Sequence, residues 1–122
     1  DIFIPAARPD VFTESNQHLL KTQLVLEGAN IPITHDAAKQ MHERGIMIIP
    51  DVIANAGGVI CAATEYQGMP ETQAFERVKA TIGPNTQEVL RLVQEEKLFP
   101  HDAALKMAKE RLTKAMALRA HM

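Results

Sequence analysis

The run Ile46-Met47-Ile48-Ile49-Pro50-Asp51-Val52-Ile53-Ala54-Asn55-Ala56-Gly57-Gly58-Val59 reads as a buried strand that ends in a turn and feeds a helix opening on two glycines. A helix start leaves its first backbone N–H groups without intrahelical partners, and they carry a partial positive charge. Glycine lets a ligand come close to that backbone. In open parallel sheets, ligands bind just past the carboxyl ends of the strands. The run therefore predicts a small-molecule site in an α/β fold.

Two further apolar runs lie upstream, Ile2 to Ile4 and Leu24 to Leu26, and with Ile46 to Ile49 they make three candidate strands. Each run is continuous rather than alternating, as expected of strands covered on both faces by helices. The connections are long enough for parallel crossovers. In the first, Arg8-Pro9-Asp10 reads as a turn, and Ser15 is placed to cap a short helix reaching about Lys21. In the second, Thr34 is the expected N-cap of a helix with Ala37, Ala38 and Met41 on one face, and Gly45 stops it. The expected fold is a partial Rossmann-like domain: a short parallel sheet of about three strands flanked by helices, then a helical C-terminal region.

Downstream, a helix is predicted from about Asn55 to Tyr66, buried around Cys61 and ended near Gly68 and Pro70. From Glu71 the positions Phe75, Val78, Ile82, Val89 and Val93 hold a helical phase through Gly83-Pro84, which predicts one long helix kinked at Pro84. Pro100 is expected to break the chain. A last helix then runs from about Asp102 to Ala120, with Leu105, Ala108, Leu112, Ala115 and Met116 as its apolar stripe.

Composition narrows the function classes. The chain has 122 residues, 46% of them hydrophobic, with a net charge of −2, so it suits one globular domain and lacks the basic footprint of a nucleic-acid binder. No apolar stretch nears the ~18 residues of a membrane span, so no membrane partner is expected. The one cysteine, Cys61, cannot form an internal disulfide, which fits a reducing, cytoplasmic compartment. The five histidines share no ligand spacing with cysteine or carboxylates, so no metal site is expected. His35 and His42, seven apart, read as a solvated face.

If the strands are parallel, three segments share one rim: Pro5-Ala6-Ala7, Glu27-Gly28-Ala29-Asn30, and Pro50-Asp51 with Asn55-Ala56-Gly57-Gly58. Small residues keep such a rim open, and two asparagines supply neutral donors and acceptors. That chemistry suits a ribose or a carboxamide. Two readings stand for each asparagine: a ligand group, or a residue that satisfies a turn (Asn30) or caps a helix (Asn55). The paired glycines serve either close ligand approach or tight helix–strand packing. Glu27 is expected to meet a backbone amide or a basic neighbour, and Cys61 to be an inert core thiol. The chain has no G-x-G-x-x-G and no Walker-type loop.

Asp1-Ile2-Phe3-Ile4-Pro5-Ala6-Ala7, Leu26-Glu27-Gly28-Ala29-Asn30 and Ile49-Pro50-Asp51 through Asn55-Ala56-Gly57-Gly58-Val59 together resemble the closing half of the glutamate/leucine/phenylalanine/valine dehydrogenase family. The likeness covers nearly the whole chain, and three motifs in order are far more specific than one. It implies reversible oxidative deamination of an L-amino acid to a 2-oxo acid and ammonia, with NAD or NADP as cofactor, in a glutamate dehydrogenase-like enzyme. It implies a full-length homo-oligomer. It also implies that residues 1–122 are the C-terminal portion of the NAD(P)-binding domain, with the glycine-rich loop and the substrate domain's catalytic lysine and aspartate upstream. No catalytic residue is therefore assigned within this chain, and the isolated chain is expected to be inactive.

Carried over by position, the resemblance sets Ala6 and Ala7 against the cofactor's bridging region and Asn30 near the nicotinamide ribose. Asn55 faces the nicotinamide and the substrate. Val59 and Ala62 line the substrate side-chain pocket. Glutamate enzymes carry a serine where this chain has Ala62; enzymes for branched or aromatic substrates carry an apolar residue there. The rival expectations are a non-catalytic binding module with a half-Rossmann fold and a different Rossmann dehydrogenase with a similar ending.

Overall fold

Three short parallel strands, β1 (Ile2–Phe3), β2 (Leu24–Leu26) and β3 (Met47–Ile49), form one sheet in the order β1-β2-β3. Ile2 pairs with Leu24, and Leu24, Val25 and Leu26 pair with Met47, Ile48 and Ile49. The computed structural model describes residues 1–119.

Strand alternation divides the continuous apolar runs between two cores. Val25, Ile46 and Ile48 face α1 (His35–Glu43) and meet its Ala37, Ala38 and Met41. Leu24, Leu26, Met47 and Ile49 face the other way, onto Val89, Leu92 and Val93 of α4 (Glu71–Glu96) and Ala103, Ala104 and Met107 of α5 (Pro100–Arg119). The sheet is thus covered on both faces, as its unalternating sequence requires. β1 is the exception. It was expected to be buried, but it is the edge strand and Ile2, Phe3 and Ile4 are all exposed, because α1, α4 and α5 pack over β2 and β3.

Thr34 caps α1 as expected, its hydroxyl accepting from the Ala37 N–H, and Gly45 takes the left-handed conformation (φ 85°) that ends the helix. Ser15 does not cap a helix. Its hydroxyl pairs with that of Thr13 at 2.8 Å, Asn16 bonds Thr13 and Val11, and only a 3-10 turn, Gln17–Leu19, follows. These local bonds offer the backbone an alternative to a helix.

After β3 the chain forms a four-residue helix, α2 (Asp51–Ala54), that was not foreseen, and α3 (Gly57–Tyr66) starts two residues later than expected. Only Thr64 of α3 is buried and Cys61 is half-buried, so α3 is a surface helix resting on α4 rather than a core one. Tight packing does not explain the glycines: a Cβ on Gly57 would make ordinary contacts of 3.9–4.0 Å with Val78 and Ile82, and one on Gly58 would meet nothing.

The helix from Glu71 runs unbroken through Pro84 to Glu96, as its phase requires, although Phe75 is exposed and Ala74 takes the buried place. Pro100 opens α5 instead of preceding it, at the position where a missing N–H costs nothing. The stripe read from α5 is exposed; its buried side is Ala103, Ala104 and Met107. The expected end at Ala120 lies outside the described residues. Among the described residues no helix is long and apolar enough to cross a membrane.

Candidate functional site

The three strands end on one rim, and backbone bonds lock their exits together. The Ala29 N–H donates to the Pro5 carbonyl at 2.9 Å, and the Glu27 N–H to the Ile49 carbonyl at 3.1 Å. Gly28 lies against the first exit: a Cβ there would stand 3.1 Å from both Ala6 Cβ and Ile4 Cγ2. Any larger residue would have to push these two segments apart by a few tenths of an ångström.

Asn30 and Asn55 meet directly. Asn55 Nδ2 donates to Asn30 Oδ1 at 2.7 Å across 25 positions of sequence. Asn55's side chain does not cap α3, whose N-cap is Ala56, although its backbone N–H closes α2 on the Asp51 carbonyl. Each asparagine has spent one amide function on the other. The carbonyl of Asn55 and the amide nitrogen of Asn30 have no protein partner among the described residues. The pair thus offers one neutral acceptor and one neutral donor group side by side, with the Asp51 carboxylate close by on the Ile31 N–H.

Ala6 and Ala7 are exposed on the same rim, Ala6 beside Gly28. Val59 and Ala62 stand three apart on α3 and both are exposed, Val59 at 77%. They share a helix face, as residues at that spacing must.

Behind the rim is a polar layer that sequence reasoning left largely unassigned. Glu27 is only 1% exposed, and its Oε2 accepts from the Asp51 N–H at 2.8 Å and lies 3.1 Å from His101 Nε2. Both readings of Glu27, backbone amide and basic neighbour, hold at once. Asp51 in turn accepts from the Ile31 N–H at 2.8 Å through Oδ2 and from the Val52 N–H through Oδ1. Glu27, Asp51, His101, Ile31, Ile33 and His35 line a cavity of about 190 Å³. His101 stacks on Phe99 with centroids 4.9 Å apart, and His35 and His42 meet the same ring edge-on, so those two histidines flank an aromatic ring rather than forming a purely solvated face. The signal for Glu27 was available: a carboxylate placed directly after an apolar strand run has to find partners as it leaves the sheet. His101 gave none, because its partner is 74 positions away. Among the described residues no three His, Cys, Asp or Glu side chains gather closely enough to hold a metal ion.

Comparison with known proteins gives this rim its context. The NADP(+)-dependent glutamate dehydrogenase of Pyrobaculum calidifontis is 37% identical over 126 aligned positions, covering 98% of this chain and 30% of that protein. The NAD-specific glutamate dehydrogenase of Staphylococcus aureus (strain COL) is 46% identical over 66 positions, 54% of this chain and 16% of its own length. The crystal structure of glutamate dehydrogenase from Peptoniphilus asaccharolyticus superposes with a TM-score of 0.82 at 28% identity, over 98% of this chain and 32% of that one. The chain thus spans about 30% of the length of relatives that match it nearly throughout. Residues 1–120, all three strand exits and the asparagine pair among them, match the Glutamate/Leucine/Phenylalanine/Valine dehydrogenase family, and the chain belongs to that family.

Proposed function

We propose that residues 1–122 are the C-terminal portion of the NAD(P)-binding domain of an L-amino-acid dehydrogenase. The whole protein would carry out reversible oxidative deamination to a 2-oxo acid and ammonia. The observation that carries this reading is the Asn55–Asn30 pair at the carboxyl rim of parallel strands, the place where open α/β sheets take their ligands. Family membership supplies the reaction class, and relatives named for NAD and for NADP leave both cofactors as candidates.

A bound nicotinamide supplies the hydride acceptor for the amino acid's Cα–H. The fit of this chain to such a group rests on its donors and acceptors: the free Asn55 carbonyl and Asn30 amide complement a carboxamide or ribose hydroxyls. In this reading Asn30 holds the ribose, Asn55 meets the nicotinamide and the substrate, and Ala6 and Ala7 keep the bridging region unobstructed. Val59 and Ala62 face the substrate side chain from α3. The general acid and base belong to the substrate domain. Glutamate is the leading substrate because the relatives named above are glutamate dehydrogenases, and Ala62 is the residue that tunes against it.

Calorimetric titration of the full-length protein with NAD and with NADP tests the reading. Saturable binding of at least one is expected, weakened by Asn55→Ala. Failure of both to bind overturns it.

A further inference from the structure

Ile31 holds φ 48°, a left-handed conformation that a β-branched residue adopts only under constraint. Its side chain is 63% exposed, so packing supplies little of that constraint. Pro32 follows it, and a residue before proline prefers extended backbone, far from the conformation seen. Strain of this kind persists only where the surroundings over-determine it. What holds Ile31 is a hydrogen bond at each end. Its N–H donates to Asp51 Oδ2 at 2.8 Å, and its carbonyl accepts from the Asp10 N–H at 3.0 Å. The adjoining Pro32 carbonyl takes the Val11 and Phe12 N–H groups at 2.8 and 3.1 Å.

Asp51 is itself aimed. Its N–H is fixed by buried Glu27, which also meets His101, and its Oδ1 takes the Val52 N–H. Its own carbonyl accepts the Asn55 N–H at 2.9 Å. One residue therefore ties both halves of the asparagine pair: Asn55 through its backbone, and Asn30 through the neighbouring strained Ile31. We propose that Asp51 is a positioning residue, whose carboxylate holds Ile31 in the left-handed conformation that sets Asn30 against Asn55. The consequence for turnover rests on the dehydrogenase reading; the link between Asp51 and Ile31 does not. A purely local role, as the first residue of the short helix α2, is the competing explanation.

The two explanations part at Ile31. Glycine reaches φ 48° without cost, so with glycine at position 31 the Asp10 and Pro32 bonds suffice and Asp51 becomes dispensable. In the full-length protein, Asp51→Ala is expected to lower kcat/KM about tenfold, the equivalent of releasing one left-handed residue. The fall should lie mainly in KM for the cofactor. Asp51→Asn keeps one oxygen for the Ile31 N–H, leaves the Val52 N–H to solvent, and should stay within about threefold of the parent. Ile31→Gly alone should be nearly silent, and Ile31→Gly combined with Asp51→Ala should recover most of the loss.

Crystal structures of the same variants give a readout that needs no activity. Asp51→Ala is expected to move residue 31 to negative φ and to part Asn30 from Asn55; the double variant is expected to keep both. If Ile31→Gly fails to relieve Asp51→Ala in either readout, Asp51 acts through α2 alone and the proposal is wrong. A parent that neither binds nor turns over the cofactors would overturn the functional reading, while the crystal comparison would still decide the Asp51–Ile31 link.

Discussion

Asn30 and Asn55 are 25 positions apart in sequence and 2.7 Å apart in space, and each consumes half of the other's amide. Removing one side chain therefore strips a rim group and frees its partner together. In the full-length enzyme, Asn55→Ala is expected to cost about 1–3 kcal/mol of transition-state binding, tenfold or more in kcat/KM. Because the pair is not buried, the melting temperature should hardly move. Parental turnover with a clear fall in melting temperature would make Asn55 a structural tie only. Ala62→Ser tests the other face of the site. A hydroxyl on the exposed face of α3 should shift the ratio of kcat/KM for glutamate over valine upward by about 1–2 kcal/mol, the scale of one hydrogen bond. An unchanged ratio would place Ala62 away from the substrate. The place of both asparagines at strand exits was legible from sequence, because each follows an apolar run among small residues; their bond to each other, across 25 positions, was not. Ile31 was not: isoleucine is the wrong residue type to suggest a left-handed backbone, and only its neighbours' hydrogen bonds put it there.

At the scale of elements, β2, β3 and α1 follow from local chemistry: apolar runs, a threonine cap and a glycine stop. The long helix α4 follows from phase alone. The readings that failed did so where tertiary packing decides. The α5 stripe from Leu105 to Met116 has the right spacing, yet the sheet takes the alanine side of that helix, where small residues let the backbone approach closely. The helix α2 escaped notice because four residues carry too little periodicity to read. Gly28→Ala should destabilise the fold by about 1–3 kcal/mol, since the added methyl would press on Ala6 Cβ, which is fixed to the backbone. An unchanged denaturation midpoint would show that the first and second strand exits separate freely. Lys97 closes α4 at φ 57° with its side chain exposed, so Lys97→Gly should raise stability by about 0.5–1 kcal/mol; a lower melting temperature would rule out strain at that cap. On α4, hydrogen bonds from Arg91 hold the Glu88 carboxyl below the usual carboxylate range. A lowered folded-state value stabilises above the unfolded value and is lost as pH falls through the folded one. Arg91→Ala should therefore flatten the acid limb of the stability–pH curve slightly, since both side chains reach solvent and their attraction is screened.

At the scale of the molecule, a three-strand sheet covered on both faces presents a ligand rim and leaves Leu105, Leu112, Met116 and Leu118 of α5 exposed. The chain corresponds to about 30% of its long-matching relatives, and the proposed reading assigns the general acid and base to the substrate domain. Proton transfer requires a positioned acid or base within hydrogen-bond reach, so the 122-residue chain alone is expected to show no turnover. The full-length protein is proposed to be a homo-oligomer, and its mass by light scattering should be a multiple of the protomer's; a monomer would count against that assembly. The most direct test is to supply the purified full-length protein with L-amino acids, glutamate first, together with NAD or NADP. Reduced nicotinamide and ammonia should appear in equal amounts, dependent on the amino acid. Cofactor binding without turnover of any L-amino acid would contradict the account and leave a non-catalytic binding module in its place.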